Sequence, residues 1–212
     1  MRDVPQKPER KPAKPYNPLE RRQLAESIGR RLLEQEVSAL PPKEAVNGAG
    51  VYLIYYRGDF PLYAPISTAN RGKWRVPIYA GKADPPGGRK GTQLDESTSA
   101  STLHRRLCEH AETIQSADNL HLEHFACRCL VVEDIWVGLA EALLIEQYHP
   151  LWNGPIDGFG LHRPGAPREK GQRPSWYTLH PGRGWASGMP TGRHSLEQLE
   201  QKAREHMARH VG

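Results

Sequence analysis

A chain of 212 residues suits one globular domain with arms, or one domain with a small accessory region. Its 37% hydrophobic and 25% charged residues lean polar yet still allow a core, and it has no apolar run of about eighteen residues, so no membrane span is expected. The net charge of +5 points weakly to a polyanionic partner, because Lys and Arg gain by displacing counterions from phosphates. The cysteines number three, an odd count with no secretory signal, which argues against a disulfide scaffold and for a reducing compartment.

Residues 1–18 are polar, basic and broken by five prolines, the composition of an extended arm. Asn17-Pro18 is a good helix start, and Leu19, Leu24, Ile28, Leu32 and Leu33 then recur at helical spacing to about Glu36. Gly50 to Tyr56 reads as a strand of β-branched and aromatic residues. A long polar connection over 57–73 leads to a second strand around Trp74 to Ala80, running into Gly81-Lys82. A Gly- and Pro-rich basic loop with Arg89 and Lys90 follows over 84–92. A helix is expected from Thr102 to about Gln115, a half-buried strand through Phe125, Cys127, Cys129 and Val131, and an apolar helix from about Ile135 to Tyr148, stopped by Pro150. Residues 154–194 are rich in Gly, Pro and Arg, and carry Phe159, Trp176, Tyr177 and Trp185, which favour ordering against something. Ser195 with Gln198 resembles a capping box opening a last helix through Leu196, Leu199, Ala203 and Met207.

Some polar residues stand where the pattern wants apolar ones. In the helix from Thr102, the buried stripe is Leu103, Leu107, Ala111 and Ile114. At about 100° per residue, His110 falls inside it and Arg106 at its edge, one turn away, so the two heads can converge. Arg105, Glu109 and Glu112 project the other way. Each residue alone also fits a satisfied core-edge histidine or a snorkelling arginine. Glu141 is the only charge between Ile135 and Ile145 and shares its face with Val137, Leu144, Ile145 and Tyr148. Unpaired, it would cost several kcal/mol, so a metal ion or a buried arginine should meet it, or it should be protonated. Tyr52 and Tyr79 on strands, and Asn153 after a turn, are unremarkable taken singly. Cys127 and Cys129 share a strand face, but structural zinc needs two more ligands, and two buried thiols are the better reading.

In order along the chain, Gly50-Val51-Tyr52 and Tyr79-Ala80-Gly81 resemble the two short motifs that name the GIY-YIG nucleases. Arg106 and His110 match the Arg-x-x-x-His helix of several members, and Glu141, Pro150 and Asn153 match the family's Glu helix and terminal Asn. The resemblance covers about residues 48–154 and implies an α+β fold, with a small antiparallel sheet of about three strands flanked by helices and one divalent metal at the Glu. On this division residues 1–47 are a basic arm and helix, and 155–212 are DNA-contacting loops and a C-terminal helix. Val51 and Ala80 stand where the family has Ile, and the spacing of 27 residues from Tyr52 to Tyr79 exceeds the usual short hairpin. That insert, together with Asp157-Gly158-Phe159-Gly160 and His180-Pro181-Gly182-Arg183, is similar to the restriction-enzyme branch, and more narrowly to enzymes that cut CCGCGG.

The resemblance implies a site-specific type II endonuclease of double-stranded DNA at a palindromic site. Glu141 would hold one Mg²⁺ or Mn²⁺; Tyr52 would orient and activate water, directly or through a neighbour; His110 would take or steer its proton. Arg106 and Lys82 would supply positive charge, and Tyr79 and Asn153 would hold phosphate or metal-shell groups. Arg71, Lys73 and Arg75 in the insert, Arg89 and Lys90 in the basic loop, and Arg163, Arg168, Lys170, Arg173 and Arg183 in the late loops are candidates for contacting DNA. A palindrome cutter implies a two-fold homodimer in the cytoplasm of a prokaryotic cell, with a protective methyltransferase in the host. A homing or DNA-repair nuclease is the nearest alternative. A non-catalytic DNA-binding protein is further off, having no reason to keep Tyr52, Arg106, His110, Glu141 and Asn153 together.

Overall fold

The computed structural model describes residues 20–85, 102–161 and 171–211. Seven helices and four strands lie within them. They are α1 (Arg21–Leu33), β1 (Ser38–Ala39), β2 (Gly50–Tyr56), α2 (Ala64–Ala69), β3 (Pro77–Ala83), α3 (Thr102–Gln115), β4 (Phe125–Val131), α4 (Asp134–Tyr148), α5 (Ser175–Leu179), α6 (Gly184–Ser187) and α7 (Leu196–His210). The sheet is antiparallel, in the order β1-β4-β2-β3. It has one strand more than expected: two-residue β1, pairing Ser38 with Cys127 and Ala39 with Ala126, caps β4 at one edge. The Asn17-Pro18 helix start, the N-terminal arm and most of the basic loop lie outside the described residues.

Central β2 is buried along its whole length, because both faces of the sheet are covered. One face carries Val51, Leu53, Tyr55 and Ala80, packed with Leu32 of α1 and with Ala140 and Leu144 of α4. The other carries Tyr52, Ile54, Tyr56 and Ile78, packed against Leu103, Leu107 and Ile114 of α3. This second cluster continues through Trp152, Phe159, Trp176, Tyr177 and Leu179 to Leu199, Ala203 and Met207 of α7. The aromatics of the Gly- and Pro-rich stretch therefore order against the sheet core, each buried ring worth about 2 kcal/mol or more. The Ser195 capping box forms, Gln198 N donating to Ser195 Oγ at 3.2 Å and Ser195 N to Gln198 Oε1 at 2.9 Å.

The long polar connection between β2 and β3 is organised. A 3₁₀ turn over Pro61–Tyr63 leads into α2, and buried Asn70 then makes four bonds. Its amide donates to Tyr56 O and Val76 O, and its oxygen accepts from Arg75 N and Val76 N. These bonds hold 70–76 as a loop, so β3 begins at Pro77 rather than near Trp74. Trp74 O accepts instead from Arg128, whose guanidinium also donates to Gln35 O and the Tyr55 hydroxyl.

Candidate active site

β3 is an edge strand, and this is what assembles the site. Opposite Tyr52 in the register lies Gly81, and opposite Ile54 lies Tyr79, so both tyrosines face α3. Their ring centroids are 6.3 Å apart. A Cβ on Gly81 would sit 2.5 Å from the Tyr52 hydroxyl oxygen, so the glycine is what lets that ring lie across the strand. Lys82, one residue on, belongs to the opposite face with α4 and Glu141. The two halves meet around the strand edge in a cleft of about 650 Å³, lined by Tyr52, Tyr79, Lys82, Asp84, Arg106, Glu109 and Glu141 among others.

On the α3 side, the Tyr52 hydroxyl and His110 Nε2 are 2.7 Å apart and buried. The His110 ring is stacked by Phe159 at 4.6 Å and 15°, while Tyr79 packs edge-on to both. Arg106 donates to Glu109 Oε2 at 2.8 Å and to Gly160 O at 3.3 Å, and it hydrogen-bonds the hydroxyls of Tyr52 and Tyr79. Burial raises the pKa of both phenols, against the pull of Arg106, so both are protonated at neutral pH. Gly160 has φ +70, and a Cβ there would lie 2.4 Å from His110 Cε1.

On the α4 side, half-buried Glu141 has its carboxyl pKa raised by desolvation first; Lys82 and Arg106 pull it down and Asp84 pushes it up. Lys82 itself donates to Asp84 Oδ1 at 2.7 Å. Among the described residues no three or more His, Cys, Asp or Glu are grouped to hold a metal. Of the cleft's carboxylates, Asp84 meets Lys82 and Glu109 meets Arg106, while Glu141 stands beside open polar space, which fits an oxygen-seeking divalent ion that keeps most of its water. Cys127 and Cys129 form no such site: burial raises both thiols, and Cys127 Sγ donates to Ala39 O at 3.5 Å.

Six of the seven expected catalytic residues meet here: Tyr52, Tyr79, Lys82, Arg106 and Glu141 line the cleft, and His110 lies directly behind Tyr52. Asn153 is engaged differently. Its amide closes a two-way bond with Ala80, donating to Ala80 O at 2.8 Å and accepting from Ala80 N at 2.8 Å. It acts as an extra strand partner that pins the exposed edge of β3. Glu109, expected to project away, lies in the cleft because the long Arg106 side chain reaches one turn along α3 to it. Phe159 and Gly160 had no local signal for contact with the site; they arrive across 49 residues of chain from His110.

Of the expected DNA-contacting residues, Arg71, Lys73 and Arg75 are exposed on the loop before β3. Arg173 and Arg183 are half-exposed and also bond within the late loops. Arg173 donates to the carbonyls of Ala186, Ser187 and Met189, and Arg183 to Leu161 O and the Tyr177 hydroxyl, so both hold the late loops together. Arg89, Lys90, Arg163, Arg168 and Lys170 lie outside the described residues.

An antiparallel four-stranded sheet between helices, with this polar cleft at its edge, has the architecture of a GIY-YIG nuclease. The model of one family, the Eco29kI GIY-YIG domain, matches residues 44–207, and the chain belongs to that family, which is one of type II restriction enzymes. It is a nuclease acting on DNA. The match takes in β2 to β4, Phe159, α5, α6 and α7 as far as Met207. No curated protein matches the chain. No described helix is long and apolar enough to cross a membrane.

Proposed function

We propose that this protein is a site-specific type II restriction endonuclease, hydrolysing double-stranded DNA at a palindromic, GC-rich site, with CCGCGG the first sequence to test. The observation that carries the reading is the convergence of Tyr52, Tyr79, Lys82, Arg106 and Glu141 on one open cleft, with His110 bonded behind Tyr52. Glu141 would hold one Mg²⁺ or Mn²⁺, which when bound relieves negative charge on the scissile phosphate and the departing 3′ oxygen.

The residues do the rest. Water attacks phosphorus while the bond to the 3′ oxygen breaks, leaving a 5′ phosphate and a 3′ alkoxide that takes a proton from solvent water to become the 3′ hydroxyl. Tyr52, protonated because burial raises its pKa, cannot start as a phenolate. It works as a relay, taking a proton from water as it passes its own to His110 Nε2. The Phe159 stack and the Tyr79 edge hold the imidazole in line. Arg106 lies against both phenols and offsets charge developing on the phosphoryl oxygens. Lys82 favours the ionised form of Glu141, against the push of Asp84. Two such sites in a two-fold homodimer would cut both strands of a palindrome, and a host methyltransferase would protect that sequence.

The test is digestion of plasmid and phage DNA by the wild type and by Glu141→Gln, with Mg²⁺ or with EDTA. Discrete bands from the wild type alone, requiring the metal, are the expected result, and sequencing the ends then gives the site. Single-strand nicks would transfer the protein to a homing or repair role, and binding without cutting would make it a non-catalytic DNA-binding protein. Sedimentation that finds a monomer both on and off a palindromic duplex would remove the homodimer.

A further inference from the structure

A second cleft, of about 1100 Å³, opens on the far side of Tyr79 from the catalytic one. Tyr79 lines both, so the two are continuous across a single ring. The floor is aromatic and rigid: Phe159 packs on Tyr79 at 4.9 Å and on Trp152 at 4.5 Å between centroids. The rim is cationic. Arg193 and Lys202 stand over it with His194, and Asp157 is the one carboxylate among the described lining residues. Asp157 is spoken for, accepting from Ser175 N at 3.4 Å.

Two features mark the rim as built for an anion. Lys202 donates through Nζ to His194 Nε2 at 2.7 Å, so the imidazole accepts and positions an ammonium that has two further N–H donors for an anion at the rim. Arg193 is steadied by Gln172, donating through Nε to its Oε1 at 3.0 Å, which leaves the outer guanidinium nitrogens directed away from that bond. Glu197 and Glu205 border His194 and Lys202 from a separate shallow groove, and Gln201 donates to Glu205 at 2.7 Å.

We infer that this second cleft carries the backbone of the DNA strand flanking the scissile phosphate, with Arg193 and the Lys202–His194 pair contacting its phosphates. The inference rests on the nuclease reading above. Continuity through Tyr79 makes the occupant the same strand that reaches Arg106 and Glu141, rather than a free nucleotide or a peptide. Phosphate contacts of this kind hold the duplex in register and carry no base information.

The test uses the full chain carrying Arg193→Ala and Lys202→Ala together, both exposed positions outside the catalytic cleft, with thermal melting as the check on folding. Binding of a labelled GC-rich duplex and of a scrambled duplex is titrated at several KCl concentrations. Each lost phosphate contact removes about 0.9 from the slope of log affinity against log salt, so the slope should shallow by about 2. Affinity should fall at least tenfold for both duplexes, while Arg193→Lys with Lys202→Arg should restore the wild-type slope. An unchanged slope, or a loss confined to one sequence, overturns the inference and leaves the nuclease reading standing. A wild type that neither binds nor cuts any duplex defeats the nuclease reading and this inference with it.

Discussion

The molecule contains two tyrosine–histidine pairs of nearly the same geometry, and they do different work. Tyr52 and His110 are 2.7 Å apart, Tyr63 and His180 2.6 Å, and all four side chains are buried. The second pair is closed at both ends. Asn119 donates through Nδ2 to Leu179 O, so its oxygen accepts from His180 Nδ1; His180 Nε2 then accepts from Tyr63, whose oxygen accepts from Trp152 Nε1. The chain of donors has one consistent direction, and no charge touches it. The first pair has the Arg106 guanidinium on the phenol and a polar cleft with Lys82 and Glu141 beside it. A buried tyrosine–histidine bond is therefore a lock by default, and on the proposed mechanism it becomes a relay where a cation and open space reach the phenol.

The largest effect should come from the groups that only the first pair has. Glu141→Gln or Arg106→Ala should slow cleavage about a thousandfold, on the order of 4 kcal/mol of barrier, with melting temperature nearly unchanged. Near-normal cutting by either variant would remove the cleft from the chemistry. Next come the matched substitutions Tyr52→Phe and Tyr63→Phe, each of which deprives a buried histidine of its hydroxyl partner. Both should lose roughly 1–3 kcal/mol in urea denaturation, and Tyr63→Phe more, since it also strands the indole of Trp152. Cleavage should fall about a hundredfold for Tyr52→Phe alone. Equal losses of activity in the two folded variants would erase the distinction between lock and relay. Gly160→Ala should follow, at about 1–2 kcal/mol of strain from its positive φ and about a tenfold drop in rate as the new methyl displaces the His110 ring. Single-turnover kinetics on a short duplex would measure it.

The Tyr52–His110 pair was legible in the sequence, and the Tyr63–His180 pair was not. His110 announced itself by falling inside an apolar helical stripe, and Glu141 by being the lone charge on an apolar helix; both follow from a 3.6-residue period. The three long strands and α3 also followed from local pattern, because burial on one or two faces writes itself into spacing. Contacts between distant segments leave no such period. Phe159 and Gly160 reach His110, Asn119 reaches His180, and Asn153 reaches Ala80, each over 49 to 73 residues. Glu109 was misjudged for a different reason: Cβ direction on a helix places a short side chain well, but a long arginine can fold back to meet a neighbour three residues on. The joining of Lys82 and Tyr52 from opposite faces depends on β3 being an edge, a fact of topology rather than of pattern.

The smallest effect tests the lock through pH. Burial depresses His180 to about 3, while in the unfolded chain it titrates near its ordinary value of about 6.5. Below pH 6.5 the unfolded chain therefore takes up a proton that the folded chain refuses, and folding stability drops by about 1.4 kcal/mol per pH unit until pH nears 3. Glu141 tilts the other way, since its raised carboxyl takes up a proton at higher pH in the folded chain than in the unfolded one. Urea denaturation at pH 7.5 and pH 5.5 should thus show the wild type about 1 kcal/mol weaker at the lower pH. A His180→Gln variant, weaker at both, should lose almost none of its stability between them. If wild type and variant shared the same pH dependence, His180 would be exchanging protons with solvent, and the buried pair would be no more closed than the catalytic one.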